Sequence, residues 1–90
     1  MGGFKEIAKG SISGANTATI TVPAGAFLVI AVRVNTSSIT TDGVWVGNSH
    51  TGTSHVTPVL SSSTITASFT GQILSLDSTS GTVLYRAYAL

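Results

Sequence analysis

The side chains able to do chemistry are few. The chain carries two histidines, His50 and His55, three carboxylates, Glu6, Asp42 and Asp77, 13 serines and no cysteine. A Ser-His-Asp relay can be drawn from either histidine with Asp42 or Asp77. With so many serines, composition alone supplies such a match, and neither a G-x-S-x-G elbow nor a helix after a candidate serine accompanies it. His50 and His55 are five apart, and odd spacing on a strand sends side chains to opposite faces. They could share a metal only through loop curvature or across a symmetry axis, with no cysteine to help. Glycoside hydrolysis needs two facing carboxylates. The three present are more simply read as neutralising Lys5, Lys9, Arg33 and Arg86. Gly2-Gly3 precedes any predicted strand, and no G-x-x-x-x-G-K phosphate loop follows. The expectation is a protein with no catalytic residues, no metal and no cofactor.

Side chains suited to binding are more informative. Trp45 lies between Val44 and Val46 and therefore points away from the face those two share. Two readings stand: a core tryptophan with the valines outside, or an interfacial ring that stacks on a sugar or anchors a protein contact. Tyr85 and Tyr88 face opposite sides of one strand, so at least one lies outside the central core. Arg33 and Arg86 sit within apolar strands, where an arginine needs a carboxylate partner. Asp42 and Asp77 are the candidates, within the chain or across a subunit boundary.

The chain that must position these groups has 90 residues, a formal charge of +1 and only 8% charged residues, against about 25% in ordinary domains. This length holds one domain, residues 1–90. The 13 serines and 14 threonines supply the solubility that charge normally supplies. Four scattered cations cannot track a phosphate backbone, which argues against a nucleic-acid module. The hydrophobic content of 42% argues against disorder, and the lack of charged residues at heptad spacing argues against a coiled coil. The longest apolar run, Ala24 to Val32, is far short of the ~20 residues of a membrane helix. Met1 reads as a cytoplasmic translation start, with charges at Lys5, Glu6 and Lys9 where a secretion signal would be apolar. A myristoylation signal would need Ser or Thr where Glu6 stands. Asn35-Thr36-Ser37 has the form of a glycosylation sequon but reads as a loop. The absence of cysteine in so small a domain points to a reducing compartment or to a fold completed by neighbouring subunits.

Period two dominates. Thr17, Thr19 and Thr21 alternate with Ala18, Ile20 and Val22, giving a half-buried strand with a threonine-lined outer face. Pro23 and Gly25 make a turn. Phe27 to Val34 places Leu28, Ile30, Val32 and Val34 on a core face. Phe27, Val29, Ala31 and Arg33 form an opposite face too apolar for an ordinary wet surface. Val44 to Val46 is a short strand. His55 to Leu60 contains Pro58 and should be an edge or bulged strand. Ile65 to Phe69, Ile73 to Asp77 and Thr82 to Leu90 complete the set. Phe4 to Ile12 reads as an irregular first strand, with residues 1–10 alternatively a free N-terminal arm. About eight short strands separated by turn signals predict an all-β fold, an antiparallel β-sandwich. The expected arrangement is a compact jelly roll, with the strands split evenly into two four-stranded sheets.

The segment Thr17-Ala18-Thr19-Ile20-Thr21-Val22-Pro23-Ala24-Gly25, running into Phe27-Leu28-Val29-Ile30, resembles a strand–turn–strand of small β-rich virion proteins of tailed bacteriophages. These are capsid decoration (cement) proteins and head- or tail-fibre domains. The few charges, the missing cysteine and the Ser/Thr/Gly-rich strands are similar in texture. The resemblance implies a non-catalytic virion part, commonly trimeric, and carries no site residues over. The expected function is a phage structural protein that decorates the capsid, made in the host cytoplasm and located in the virion. It would be a homo-oligomer, trimer favoured, contacting the major capsid protein or other virion proteins, with neither nucleic acid nor membrane as partner. Phe4, Phe27, Val29, Arg33, Trp45 and Arg86 are the expected interface residues, with the arm from Gly2 to Lys9 adding contacts. The alternative is a glycan-binding receptor-recognition or fibre domain, or a cellular carbohydrate-binding sandwich, using Trp45, Asn48 and His50.

Overall fold

The computed structural model describes residues 3–34 and 41–90. It contains eight strands: β1 Lys5–Ser13, β2 Thr17–Thr21, β3 Phe27–Val34, β4 Gly43–Asn48, β5 His55–Leu60, β6 Ile65–Thr70, β7 Ile73–Ser78 and β8 Thr82–Ala89. They follow the period-two runs of β-branched and apolar residues, which suit a pleated surface with one buried face. The sequon at Asn35, and Gly2 at the start of the expected arm, lie outside the described residues.

All pairings are antiparallel, and the strands form two sheets. One has the order β1-β8-β3-β4-β5 and the other β2-β7-β6. The fold is thus an all-β antiparallel sandwich. Its strands divide five and three rather than four and four. The ribbon β1–β2 lies against β8–β7, and β8 also pairs with β3, which is the nested winding of a jelly roll. The middle of the chain departs from that winding. The run β3-β4-β5 continues as a meander on the larger sheet, and β6 doubles back on β7. The β6–β7 connection is short enough to dictate this. Thr70 pairs directly with Ile73, leaving the two-residue turn Gly71-Gln72, and Gly71 takes φ 60°, a left-handed value that favours glycine.

The core lies between the sheets. Leu28, Ile30 and Val32 of β3 meet Ile20, Leu74 and Leu76 of the smaller sheet, with Val22, Ile65, Val83 and Ala87 around them. Each fully buried aliphatic side chain of this kind contributes roughly 1.5–3 kcal/mol. The expected core face of β3 is the one observed, apart from a half-buried Val34. No buried side-chain nitrogen or oxygen among the described residues lacks a partner.

Trp45 belongs to this core, with 4% of its surface exposed. Gly43, two residues away on the same face, makes room for the ring. A Cβ there would stand 2.7 Å from Trp45 Cη2 and 2.9 Å from Val32 Cγ2. A similar fit occurs between β1 and β8. Gly10 pairs with Tyr85, and a Cβ on Gly10 would stand 2.7 Å from the tyrosine oxygen.

Both edges of the larger sheet are irregular. Pro58 sits on edge strand β5, as its missing N–H requires. The register slips there between Val44 and Trp45, whose partners are Leu60 and Pro58. On the opposite edge β1 slips between Glu6 and Ala8. The irregular first strand expected from Phe4 is therefore present as a bulged strand paired along its length with β8. Bulges, proline and lysine all hinder further strand pairing at an edge.

A buried polar clamp ties one end of the sandwich together. Ser49, 1% exposed, donates its hydroxyl to Val22 O at 3.2 Å. Its N–H reaches Ala26 O at 2.8 Å, and its carbonyl accepts from Gly25 N at 2.6 Å. Gln72 Nε2 donates to the same Val22 oxygen at 3.1 Å. Sheet ends and connections from both layers thus meet on one carbonyl.

Candidate functional site: the outer face of the five-stranded sheet

The outward residues of the larger sheet follow from the register. Phe27 pairs with Asn48 and exchanges both backbone hydrogen bonds with Leu90. Since Lys5 pairs with Ala89, Phe4 comes level with Leu90. The next row is Val46, Val29, Tyr88 and Glu6, with Thr57 on β5. The row after that is Leu60, Val44, Ala31, Arg86 and Lys9. The last is Arg33, Leu84 and Ser11. Phe4, Phe27, Val46, Leu60 and Leu90 are the large exposed apolar side chains of this face, between 40% and 59% open to solvent. Val29, Ala31, Val44, Leu84 and Tyr88 are half-buried between them. Nothing in the chain's described residues covers this surface.

The expected interface residues divide accordingly. Phe4, Phe27, Val29, Arg33 and Arg86 share this one face. Trp45 does not. Its neighbours Val44 and Val46 are the outward pair, and the ring packs inward over Gly43. Trp45 is therefore neither an interface residue nor a sugar-stacking platform, because strand alternation and the gap left by Gly43 commit it to the core. Asn48 and His50 are exposed, as the glycan reading requires, but without the ring between them. His50 is held in its own loop: its N–H donates to Ser54 Oγ at 3.1 Å and Nδ1 lies 3.0 Å from Thr51 O. His55 pairs with Asn48 at the start of β5. Among the described residues, no group of three or more His, Asp and Glu side chains could hold a metal ion.

Asp42 and Asp77 accept hydrogen bonds, and Glu6 meets an arginine. Asp42 Oδ2 accepts the N–H of Val34 at 2.8 Å, and Asp77 accepts the hydroxyl of Thr17. Arg86 instead meets Glu6, with Nη1–Oε1 at 3.6 Å and side chains 63% and 34% exposed. A hydrogen bond to Tyr88, and then the charge of Glu6, hold the Arg86 guanidinium above its ordinary pKa. The pair is wet, so it adds little to stability.

Arg33 and Arg86, with Lys9, also line an open hollow of about 530 Å³ between β1, β8 and β3. Leu84, Tyr88 and Thr41 contribute to its walls. Three of the chain's four cations thus gather where the sequence had them scattered. From sequence, Lys9 stood only at the end of the N-terminal arm and Tyr88 only as one of two tyrosines on opposite faces of a strand. Parity groups Lys9 with Ser11, and Arg86 with Leu84 and Tyr88, but only the long-range adjacency of β1, β8 and β3 joins the groups. Strands and a bare face are what the geometry offers for comparison with other proteins. No protein-family model matches the chain, and no curated protein and no solved structure matches it either.

Proposed function

We propose that this protein is a non-catalytic structural subunit of a bacteriophage virion, a decoration or cement protein that lays the outer face of its five-stranded sheet on the shell. The uncovered apolar surface of Phe4, Phe27, Val29, Val46, Leu60 and Leu90 carries the reading. A monomer has no use for such a surface, whereas a fixed neighbour removes it from water. The partner is the major capsid protein or another virion protein, and the location is the virion after synthesis in the host cytoplasm. The resemblance of the Thr17–Ile30 segment supplies the phage context and the expectation of a trimer. Binding only the assembled shell would stabilise it by mass action.

The test is reconstitution on particles assembled without the protein. Wild type should bind and raise the temperature at which the particles release their contents. Phe27→Ser with Val46→Asp should stay folded and fail to bind. Equal occupancy by this variant, or particles whose heat release ignores the protein, would sink the proposal.

A further inference from the structure

The hollow between β1, β8 and β3 combines two properties that the rest of the surface keeps apart. Its charge comes from Lys9, Arg33 and Arg86, and its walls include Leu84, Tyr88 and the backbone around Ala31. Arg86 faces Lys9 directly across the β1–β8 ladder. Arg33 lies one row further, diagonal to Arg86 across the β3–β8 ladder. Like charges placed directly opposite on a sheet repel. Glu6 offers one carboxylate to this group, at 3.6 Å and largely in water. A second copy of the chain laid face to face would bring the same cations together, which argues against self-association at this hollow.

We infer that the hollow formed by Lys9, Arg33, Arg86, Leu84 and Tyr88 is the recognition site of the docking face, and that it takes a carboxylate-bearing extended segment of the partner protein. The inference rests on the docking-face reading and specifies its chemistry. One carboxylate of the segment enters between Lys9 and Arg86, displacing part of the water around both. Apolar side chains of the same segment lie over Leu84, Tyr88 and Ala31. The flanking rows of Val29, Val46 and Phe27 extend that contact without charge. Arginine suits this role because its planar donors meet a carboxylate in two parallel hydrogen bonds. The apolar rows provide area, and the cations provide register and choice of partner.

The probe is a short blocked peptide of alternating valine and glutamate, compared with its glutamine counterpart and with inorganic polyphosphate. Backbone amide shifts of the full chain are followed by NMR. The glutamate peptide should move amides of β1, β3 and β8 around Lys9, Arg33 and Arg86, and added salt should weaken it. Lys9→Gln with Arg86→Gln should weaken it by at least about ten-fold, the loss of charge-assisted contacts at a wet surface. Val46→Ser should weaken the glutamate and glutamine peptides alike. The inference fails if both peptides bind equally to wild type and Lys9→Gln with Arg86→Gln changes nothing. In that case Val46→Ser still separates the two ideas: loss of both peptides keeps the docking face and discards the carboxylate site, while no loss discards both. Polyphosphate binding tighter than the glutamate peptide at the same amides would also overturn it.

Discussion

The two outward faces of this sandwich have the same backbone and opposite chemistry. On the three-stranded sheet the rows are Thr17, Asp77 and Thr66; Thr19, Ser75 and Ser68; and Thr21, Ile73 and Thr70. Seven of these nine are hydroxyls, with Asp77 the only charge and Ile73 the only aliphatic. On the five-stranded sheet the corresponding rows hold valines, leucines and phenylalanines beside Ala31, Thr57 and Tyr88, with Glu6, Lys9, Arg33 and Arg86 at one side. A low charge content therefore has two meanings within one small domain. On one side hydroxyls meet water, each able to donate and accept. On the other, apolar side chains fill the middle of the face and Glu6, Lys9, Arg33 and Arg86 gather along one side of it. The averaged composition hides this, since the hydroxyls mask the apolar face.

The contrast depends on Trp45 staying inside. Trp45→Ala should give the largest loss, about 3–5 kcal/mol, as expected for deleting a buried aromatic. A chemical denaturation midpoint measures it. A loss under about 1 kcal/mol would place the ring outside, and the larger sheet would then present tryptophan rather than valine to a partner. Gly43→Ala probes the same packing from the opposite side. Its Cβ would press on Trp45 and Val32, and overfilling a packed core costs about 1–3 kcal/mol.

Much of this was legible in the sequence, for reasons particular residues make plain. Alternation alone located the strands and the two faces of Phe27–Val34. Pro58 announced an edge, since a central strand needs every N–H. The side Trp45 faces was left open, although the pattern Gly43-Val44-Trp45-Val46-Gly47 contains a hint. Glycines two residues on either side share the face of the ring and leave it space. A Cβ on Gly47 would also stand 2.2 Å from His55 O, so β4 and β5 approach closely there. Other features depend on contacts far apart in the chain. Nothing local says that β1 and β3 flank β8, and so nothing local gathers the cations. Glu6 and Lys9 are three apart and would face opposite sides of a regular strand. The slip between Glu6 and Ala8 brings both to the outer face, which is why Arg86 finds Glu6 rather than the carboxylates expected from sequence.

The clamp at Ser49 tests whether the two faces belong to one rigid body. Ser49→Ala removes the hydroxyl that reaches Val22 O, while leaving the backbone bonds to Ala26 and Gly25 in place. The expected loss is about 1 kcal/mol, the net worth of one hydrogen bond. Gln72 continues to satisfy the Val22 oxygen, which keeps the figure from rising further. Calorimetric unfolding of the variant should remain a single transition. Two transitions would mean that the sheets unfold separately once the clamp is cut.

The smallest change in stability should come with the clearest change in behaviour. Val46→Thr moves the chemistry of the three-stranded sheet onto the five-stranded one, and Thr19→Val does the reverse. Both residues are exposed and both replacements keep a β-branched side chain in a strand, so each should change unfolding free energy by no more than about 0.5 kcal/mol. Their effects on association should nevertheless have opposite signs. Val46→Thr reduces the apolar area of the proposed docking face and should weaken binding to particles and any self-association at high concentration. Thr19→Val puts a methyl where water accepts a hydroxyl, on a chain whose net charge of +1 does little to keep copies apart. It should increase self-association, read by sedimentation velocity, and leave particle binding unchanged. If the two substitutions shifted association in the same direction, the faces would be interchangeable to a partner. Their different chemistries would then have no bearing on which side of the sandwich is covered.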